Sequence, residues 1–195
     1  MRQAVFLDRD GVINVFPGKD KFVLCWEEFH FKPDVAEQLC RLRAAGFRLA
    51  LITNQSGVGR GLMTLDALND IHRRMQAALG KDALDAIYFC AHHPDNRCTC
   101  RKPSPELIRR ACVDMNLDLS ASVVVGDSMR DIEMGHAAGC RTILCRENLP
   151  PFKKLKPMQR PDQMAQTLTQ ATDWILSTVL RRTQSTGARK TRGVR

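Results

Sequence analysis

The chain has 195 residues, 44% hydrophobic and 26% charged, a composition that suits one globular domain and excludes a disordered or fibrous class. No apolar run approaches the ~20 residues needed to span a bilayer. Met1-Arg2-Gln3 passes at once into a short apolar stretch without the features of a secretory signal, so a cytoplasmic protein with no membrane partner is expected. The net charge of +9 would suggest a nucleic-acid binder, but six of those charges fall in residues 181–195, where Arg181, Arg182, Arg189, Lys190, Arg192 and Arg195 occur without an acid. The expected organisation is a single domain over 1–180 with a basic, disordered tail over 181–195. That tail carries no aromatic residue to stack on bases, which disfavours nucleic acid as a partner.

Taken in chain order, β-rich apolar runs alternate with helical patterns. Ala4-Val5-Phe6-Leu7 reads as a strand buried on both faces. Val35, Leu39, Leu42 and Ala45 recur at helical spacing from Pro33 to Ala45, and Gly46 ends that helix. A strand follows over Arg48 to Ile52. The next helix starts at Thr64, with Leu65, Leu68, Ile71 and Met75 on one face and Gly80 after its end. Further elements are a strand over Ala86 to Phe89, a helix over Pro105 to Met115, and a strand at Val123-Val124-Val125. A helix over Arg130 to Ala138 and a strand at Thr142-Ile143-Leu144 complete the repeats. Residues 146–161 read as an irregular surface segment. A last helix is expected over 163–180, interrupted by a short strand near Trp174-Ile175. Repeated β-α units specify an α/β fold, a mostly parallel sheet with helices on both faces, whose ligands bind at the carboxyl ends of the strands. The polar residues follow this rule: Asp8 and Asp10, then Thr53-Asn54, then a Cys/His cluster with Lys102, then Asp127, each come after a strand.

Eight cysteines are present. Cys25, Cys40, Cys112, Cys140 and Cys145 are scattered and read as small buried hydrophobes. Cys90, Cys98 and Cys100 cluster with His92, and in an extended segment residues i and i+2 face the same way. Cys90/His92 and Cys98/Cys100 therefore form two claws. Three thiolates and one imidazole suit a closed tetrahedral structural Zn²⁺ site, with His93 the alternative to His92.

Asp8-Arg9-Asp10 places two carboxylates, one residue apart, at a strand end, where close packing favours a shared proton or a bound cation. Gly11 lets the backbone turn sharply after them. Asp-x-Asp-Gly-Val after a hydrophobic strand resembles the first motif of the haloacid dehalogenase (HAD) superfamily. Thr53 closing Leu49-Ala50-Leu51-Ile52-Thr53-Asn54-Gln55 matches the second. Lys102 in Cys100-Arg101-Lys102-Pro103 matches the third, and Gly126-Asp127-Ser128-Met129-Arg130-Asp131 the fourth. The resemblance runs over residues 3–145 and implies a Rossmann-like phosphatase.

On that resemblance Asp8 is the nucleophile and Asp10 the acid and base. Mg²⁺ is held by Asp8, the Asp10 carbonyl and Asp127, while Thr53, Asn54 and Lys102 hold the phosphoryl group. Asp131 is expected to orient Lys102 or a metal-bound water. The zinc loop narrows the resemblance to small, nearly capless phosphatases, a group that includes heptose bisphosphate 7-phosphatases and the histidinol-phosphate phosphatase domain. The run Gln55-Ser56-Gly57-Val58-Gly59-Arg60-Gly61 leans toward the heptose group, with Gln55, Ser56 and Arg101 contacting a sugar phosphate substrate. Two departures bear on the substrate. Residues 15–21 lack a Gly-Tyr-Val pattern, and Ser128 stands where some members have Lys. Histidinol phosphate or another small phosphate ester is the alternative substrate. A zinc-stabilised binding module without catalysis and a nucleic-acid 3′-phosphatase are the alternatives of other kinds. With no long apolar stripe left over, a monomer is expected.

Overall fold

A computed structural model describes residues 2–80 and 83–178; the basic tail expected over 181–195 lies outside the described residues. Six strands form one fully parallel sheet. They are β1 (Ala4–Leu7), β2 (Arg48–Asn54), β3 (Ala86–Cys90), β4 (Val123–Gly126), β5 (Arg141–Cys145) and β6 (Gln163–Ala165), in the order β3-β2-β1-β4-β5-β6. The chain winds outward from β1 to β3, then returns to lay β4 on the other side of β1. That reversal opens a crevice at the carboxyl end of the central strand, the place where ligands bind in doubly wound sheets.

The strands alternate their side chains between two apolar layers. Val5, Leu7, Leu49, Leu51 and Val125 face one cluster, with α1 (Val35–Ala44) and α3 (Leu65–Leu79) packed on it. Ala4, Phe6, Ala50, Ile52 and Val124 face the other, with residues from α4 (Glu106–Met115) and α5 (Met129–Ala138). Both layers are needed because the central strands are buried on both sides, which is why their sequences read as unbroken apolar runs. Thr64 caps α3 by accepting from the Ala67 N–H at 3.1 Å, and Gly80 ends it.

Two expectations need correction, and one helix lies where the sequence marks none. The strand near the chain's end is Gln163–Ala165, not a break at Trp174-Ile175, and residues 168–178, up to the last described position, are helical with Ile175 buried. A helix forms at Ser56–Gly59 (α2), where two glycines gave no helical signal. Cys25 and Cys40 are exposed, since Cys40 lies on the outer side of α1, opposite Val35, Leu39 and Leu42.

The segment between the first motif and α1 stays small. Its neck is closed by Val15 N–H to His30 carbonyl (2.8 Å) and Lys32 N–H to Ile13 carbonyl (2.9 Å). Trp26 stacks on Phe29, and Phe31 meets both rings edge-on, with ring centroids 5.0–6.2 Å apart. Among the described residues, the only element between β1 and α1 is a 3-10 turn at Trp26–Glu28. Among the described residues no helix is long and apolar enough to cross a membrane.

Candidate active site

Four strand ends deliver the polar groups. Asp8 follows β1, and its Oδ1 accepts from Lys102 Nζ at 2.8 Å and from the Arg9 N–H at 2.7 Å. Lys102 Nζ also lies 2.6 Å from Asp131 Oδ1, and it is 3% exposed. The other Asp131 oxygen accepts from the Ser128 N–H (3.1 Å) and hydroxyl (2.6 Å) at the start of α5. Asp131 thus links Lys102 to the start of α5. Asp127 follows β4, and one oxygen each from Asp8, Asp127 and Asp131 lie within 4.8 Å of one another.

Two glycines permit this crowding. A Cβ on Gly11, whose φ is +90°, would sit 2.2 Å from Asp127 Oδ2, and one on Gly126 would sit 2.2 Å from Asp131 Cβ.

Burial raises the Asp8 pKa to about 6, with Asp131 and Asp10 adding to the rise and Lys102 opposing it. Burial, then the charges of Asp8 and Asp131, push Asp127 up to about 7. Burial also opposes the charge on Lys102, but Asp131 and Asp8 outweigh it and hold the ammonium above its ordinary value. The three carboxylates and one ammonium leave a net negative, all-oxygen pocket, a donor set that fits a hard divalent cation such as Mg²⁺.

Asp10 points to another set of partners. Arg9 Nε and Nη2 reach its oxygens at 3.1–3.2 Å, Asn14 Nδ2 at 2.9 Å and Gln55 Nε2 at 3.0 Å. Gln55 Nε2 also lies 2.9 Å from Thr53 Oγ1, so the first and second motifs are joined through Gln55. Asn54 Oδ1 accepts from the Lys102 N–H at 3.1 Å and joins the second motif to the third. Ser56 is buried at the start of α2. Arg101 donates to the His92 carbonyl at 3.3 Å, while its Nε is buried without a hydrogen-bond partner. A cleft of about 720 Å³ adjoins Asp127 and Gly11, with Phe16, Lys32, Arg130 and Arg146 on its walls. No motif in the sequence marks Arg9 or His72. Arg9 is fully buried, and its Nη1 lies 3.4 Å from His72 Nε2.

The Cys/His cluster assembles as the claws imply. Cys90 Sγ lies 3.5 Å from Cys98 Sγ and 3.6 Å from His92 Nδ1, and Cys100 Sγ lies 3.3 Å from His92 Nδ1. These are far longer than a disulfide bond of about 2.05 Å. They approach the edges of a tetrahedron around Zn²⁺, roughly 3.5–3.8 Å for Zn–S of about 2.3 Å. His93 is turned to Asp95 instead, accepting from its N–H at 3.2 Å. Burial is the first cause that pushes the Cys90 thiol up to about 12, so a cation is what would make it a thiolate.

Known proteins resemble the chain along most of its length. A HAD-hydrolase-like family model matches residues 99–171, which include Lys102, Asp127 and Asp131. D-glycero-beta-D-manno-heptose-1,7-bisphosphate 7-phosphatase of Helicobacter pylori strain J99 is 36% identical over 179 residues, covering 89% of this chain and 97% of its own. The enzyme of that name from Bordetella bronchiseptica is 41% identical over 140 residues, 71% of this chain and 77% of its own. The chain belongs to this family of HAD phosphatases. A crystal structure of D,D-heptose 1,7-bisphosphate phosphatase from B. bronchiseptica, complexed with magnesium and phosphate, matches at a TM-score of 0.80 and 34% identity, over 90% of this chain and 99% of that one. Membership of the family makes the chain a phosphatase, and the sheet order and strand-end carboxylates are those of a HAD phosphatase fold.

Proposed function

We propose that the enzyme removes the 7-phosphate of D-glycero-D-manno-heptose 1,7-bisphosphate, a precursor in lipopolysaccharide assembly, through an aspartyl-phosphate. The observation that carries this reading is the placement of Asp8 between Lys102 and Asp127 at the carboxyl end of the central strand. Its substrate term rests on the likeness to enzymes of that name over most of the chain.

Asp8 attacks phosphorus, forming an acyl phosphate as the bond to the sugar oxygen breaks. Asp10 gives its proton to the departing alkoxide, then takes a proton from the water that attacks phosphorus, releasing phosphate and freeing Asp8. Lys102 lies against Asp8 and meets the charge that spreads over the transferring group. The Thr53 hydroxyl and Asn54 amide hold phosphoryl oxygens. Gln55 and Ser56 border the sugar, and Arg101, next to Lys102 in the chain, supplies a second cation for a second anionic group.

Asp8, Asp127 and the Asp10 carbonyl would hold Mg²⁺, which when bound offsets the repulsion between nucleophile and phosphate. Cys90, His92, Cys98 and Cys100 would hold Zn²⁺ in a closed site whose task is structural.

Phosphate release across heptose bisphosphate, histidinol phosphate and a 3′-phosphorylated oligonucleotide, with Mg²⁺ and after EDTA, tests the reading. Heptose bisphosphate should be hydrolysed with the highest kcat/KM. Preference for histidinol phosphate or the oligonucleotide would overturn the substrate, and no turnover of any ester would overturn the enzyme.

A dependence on pH follows from the site's electrostatics. Asp8 at about 6 and Asp127 at about 7 stand above their ordinary 3.8, so the native metal-free protein resists their ionisation. Their contribution to stability is therefore full below 3.8 and is lost as pH rises through 6 and 7. Mg²⁺ needs both ionised. The rise in Tm on adding Mg²⁺ should accordingly be large near pH ~8 and shrink toward pH ~5. An equal rise at both ends, read by scanning fluorimetry, would contradict the assignment of Asp8 and Asp127 as ligands.

A further inference from the structure

Asp10 is held far more firmly than its four-residue motif requires. Both oxygens are engaged: Oδ1 by Arg9 Nε (3.2 Å), Arg9 Nη2 (3.1 Å) and Asn14 Nδ2 (2.9 Å), Oδ2 by Arg9 Nη2 (3.2 Å) and Gln55 Nε2 (3.0 Å). The Arg9 side chain is fully buried, and a guanidinium in that position must find an acceptor for each N–H or bear the cost of desolvation. Its remaining arm, Nη1, meets His72 Nε2 at 3.4 Å.

A guanidinium only donates, so Nε2 must accept and the imidazole proton must sit on Nδ1. Burial first, and the charge of Arg9 second, drive the His72 pKa down to about 3, which keeps the ring neutral and able to accept. His72 itself is fixed in place. It is 5% exposed, it sits on the inner face of α3 with Leu68, Ile71 and Met75, and its ring lies 5.4 Å from that of Phe89 on β3.

We propose that Arg9 and His72 are positioning residues: a neutral, buried His72 anchors the Arg9 guanidinium, and Arg9 in turn aims the Asp10 carboxyl at the leaving oxygen of the substrate. The inference rests on the assignment of Asp10 as acid and base. The chain of contacts carries it. An aspartate side chain has two rotatable bonds, and proton transfer needs heavy-atom approach within roughly 2.6–3.2 Å. A clamp with three contacts from one rigid, planar fork holds such a side chain better than a lysine would. Without the His72 acceptor, Nη1 is left buried and unpaired, and the guanidinium turns to seek another partner. Asp10, bound through Nε and Nη2 of the same plane, turns with it. Misplacement of a catalytic group by about 1 Å can cost on the order of a hundredfold in rate.

His72→Leu removes the acceptor and keeps an apolar side chain against Phe89, whereas His72→Gln keeps an acceptor on the same helix face. Two esters separate positioning from folding. A sugar phosphate leaves as an alkoxide that needs a proton, but p-nitrophenyl phosphate leaves as a stabilised phenolate that does not. His72→Leu should lower kcat/KM, which reports transfer to Asp8, by about ten- to a hundredfold for the sugar phosphate and by less than about threefold for p-nitrophenyl phosphate, while hydrolysis of the acyl phosphate, which needs Asp10 as base after either ester, slows equally for both. His72→Gln should recover most of the loss. Equal falls in kcat/KM for the two esters, no fall, or no recovery with Gln would overturn the proposal.

The wild-type protein supplies a reading that needs no variant to fold. In its ¹⁵N NMR spectrum at neutral pH, His72 should be the neutral Nδ1–H tautomer; an imidazolium or the Nε2–H tautomer would overturn the anchoring. Full sugar phosphatase activity in Asp10→Asn would instead remove the acid/base assignment on which the inference stands, whatever the His72 variants do.

Discussion

Asp8→Asn should lose on the order of 10⁴-fold or more in kcat, with no phosphorylated protein trapped by rapid acid quench. Lys102 lies 2.8 Å from Asp8 Oδ1, so one oxygen of the carboxylate is held by the ammonium and by the Arg9 N–H. The other is the one that must attack. An amide offers a neutral oxygen and nitrogen there, neither of which forms an acyl phosphate. Asn is otherwise a close isostere, and Lys102 keeps its ion pair to Asp131 at 2.6 Å, so the site should stay intact.

Stability should move in the opposite direction to activity. The native protein raises Asp8 to about 6, chiefly by burial and then through Asp131 and Asp10, which means that it resists a negative charge at this position. The metal-free variant should therefore unfold at a temperature equal to or above that of the wild type near pH ~7.5, where the wild-type carboxylate is ionised at a cost. Mg²⁺ should stabilise the variant less than the wild type, because a proposed ligand has lost its charge. Retained turnover would remove Asp8 from the mechanism. A folded, inactive variant that melts well below the wild type would mean that Asp8 matters to the fold as much as to the chemistry.

The sequence discloses this site because of where charge falls relative to buried strands. Ala4–Leu7 and Val123–Gly126 are apolar on both faces, so an acid immediately after either strand must open into the crevice. Asp8 and Asp127 are legible for that reason. The support around Asp10 is not. Arg9 reads locally as a spacer between two acids, and nothing nearby shows that it is fully buried. Its partner His72 lies 63 residues away on α3, and Gln55, which also reaches Asp10, lies 45 residues away. Such pairings exist only once α3 is docked on the sheet. One signal was present: His72 falls four residues after Leu68 and three before Met75, on the apolar stripe of its helix, where an imidazole must find a partner. The fold shows the same divide. The apolar runs Ala4–Leu7 and Leu49 to Ile52 are plain, whereas the three-residue strand Gln163–Ala165 is too short to show a period and merges in sequence with the helix that follows it.

Cys98→Ser should abolish zinc binding and most activity although no reacting group is altered. The loop that carries the ligands connects β3 to Lys102, since Cys90 is the last residue of the strand and Cys100 stands two residues before the lysine. The loop has little apolar content of its own, so a metal held by the proposed Cys₃His site would replace a hydrophobic core there. It is also packed tightly against the second motif. A Cβ on Gly59 would lie 2.1 Å from the His93 backbone nitrogen, and the Gln55 N–H donates to the Cys90 carbonyl at 2.8 Å. Loss of the metal would leave three thiols and an imidazole in contact without a charge to hold them, and the exit of the loop would relax. Lys102 would then leave Asp8, and the Asn54 bond to the Lys102 N–H would go with it. The expected result is zinc falling from about one per chain to near zero. kcat should drop by roughly ten- to a thousandfold, and Tm by about 5–15 °C, as suits a loss of a few kcal/mol in a domain of this size. Activity lost in step with zinc during chelation of the wild type, and restored by Zn²⁺ but not by Mg²⁺, would place the effect in this loop. Full activity in zinc-free protein would show that β3 and α4 alone hold Lys102 against Asp8.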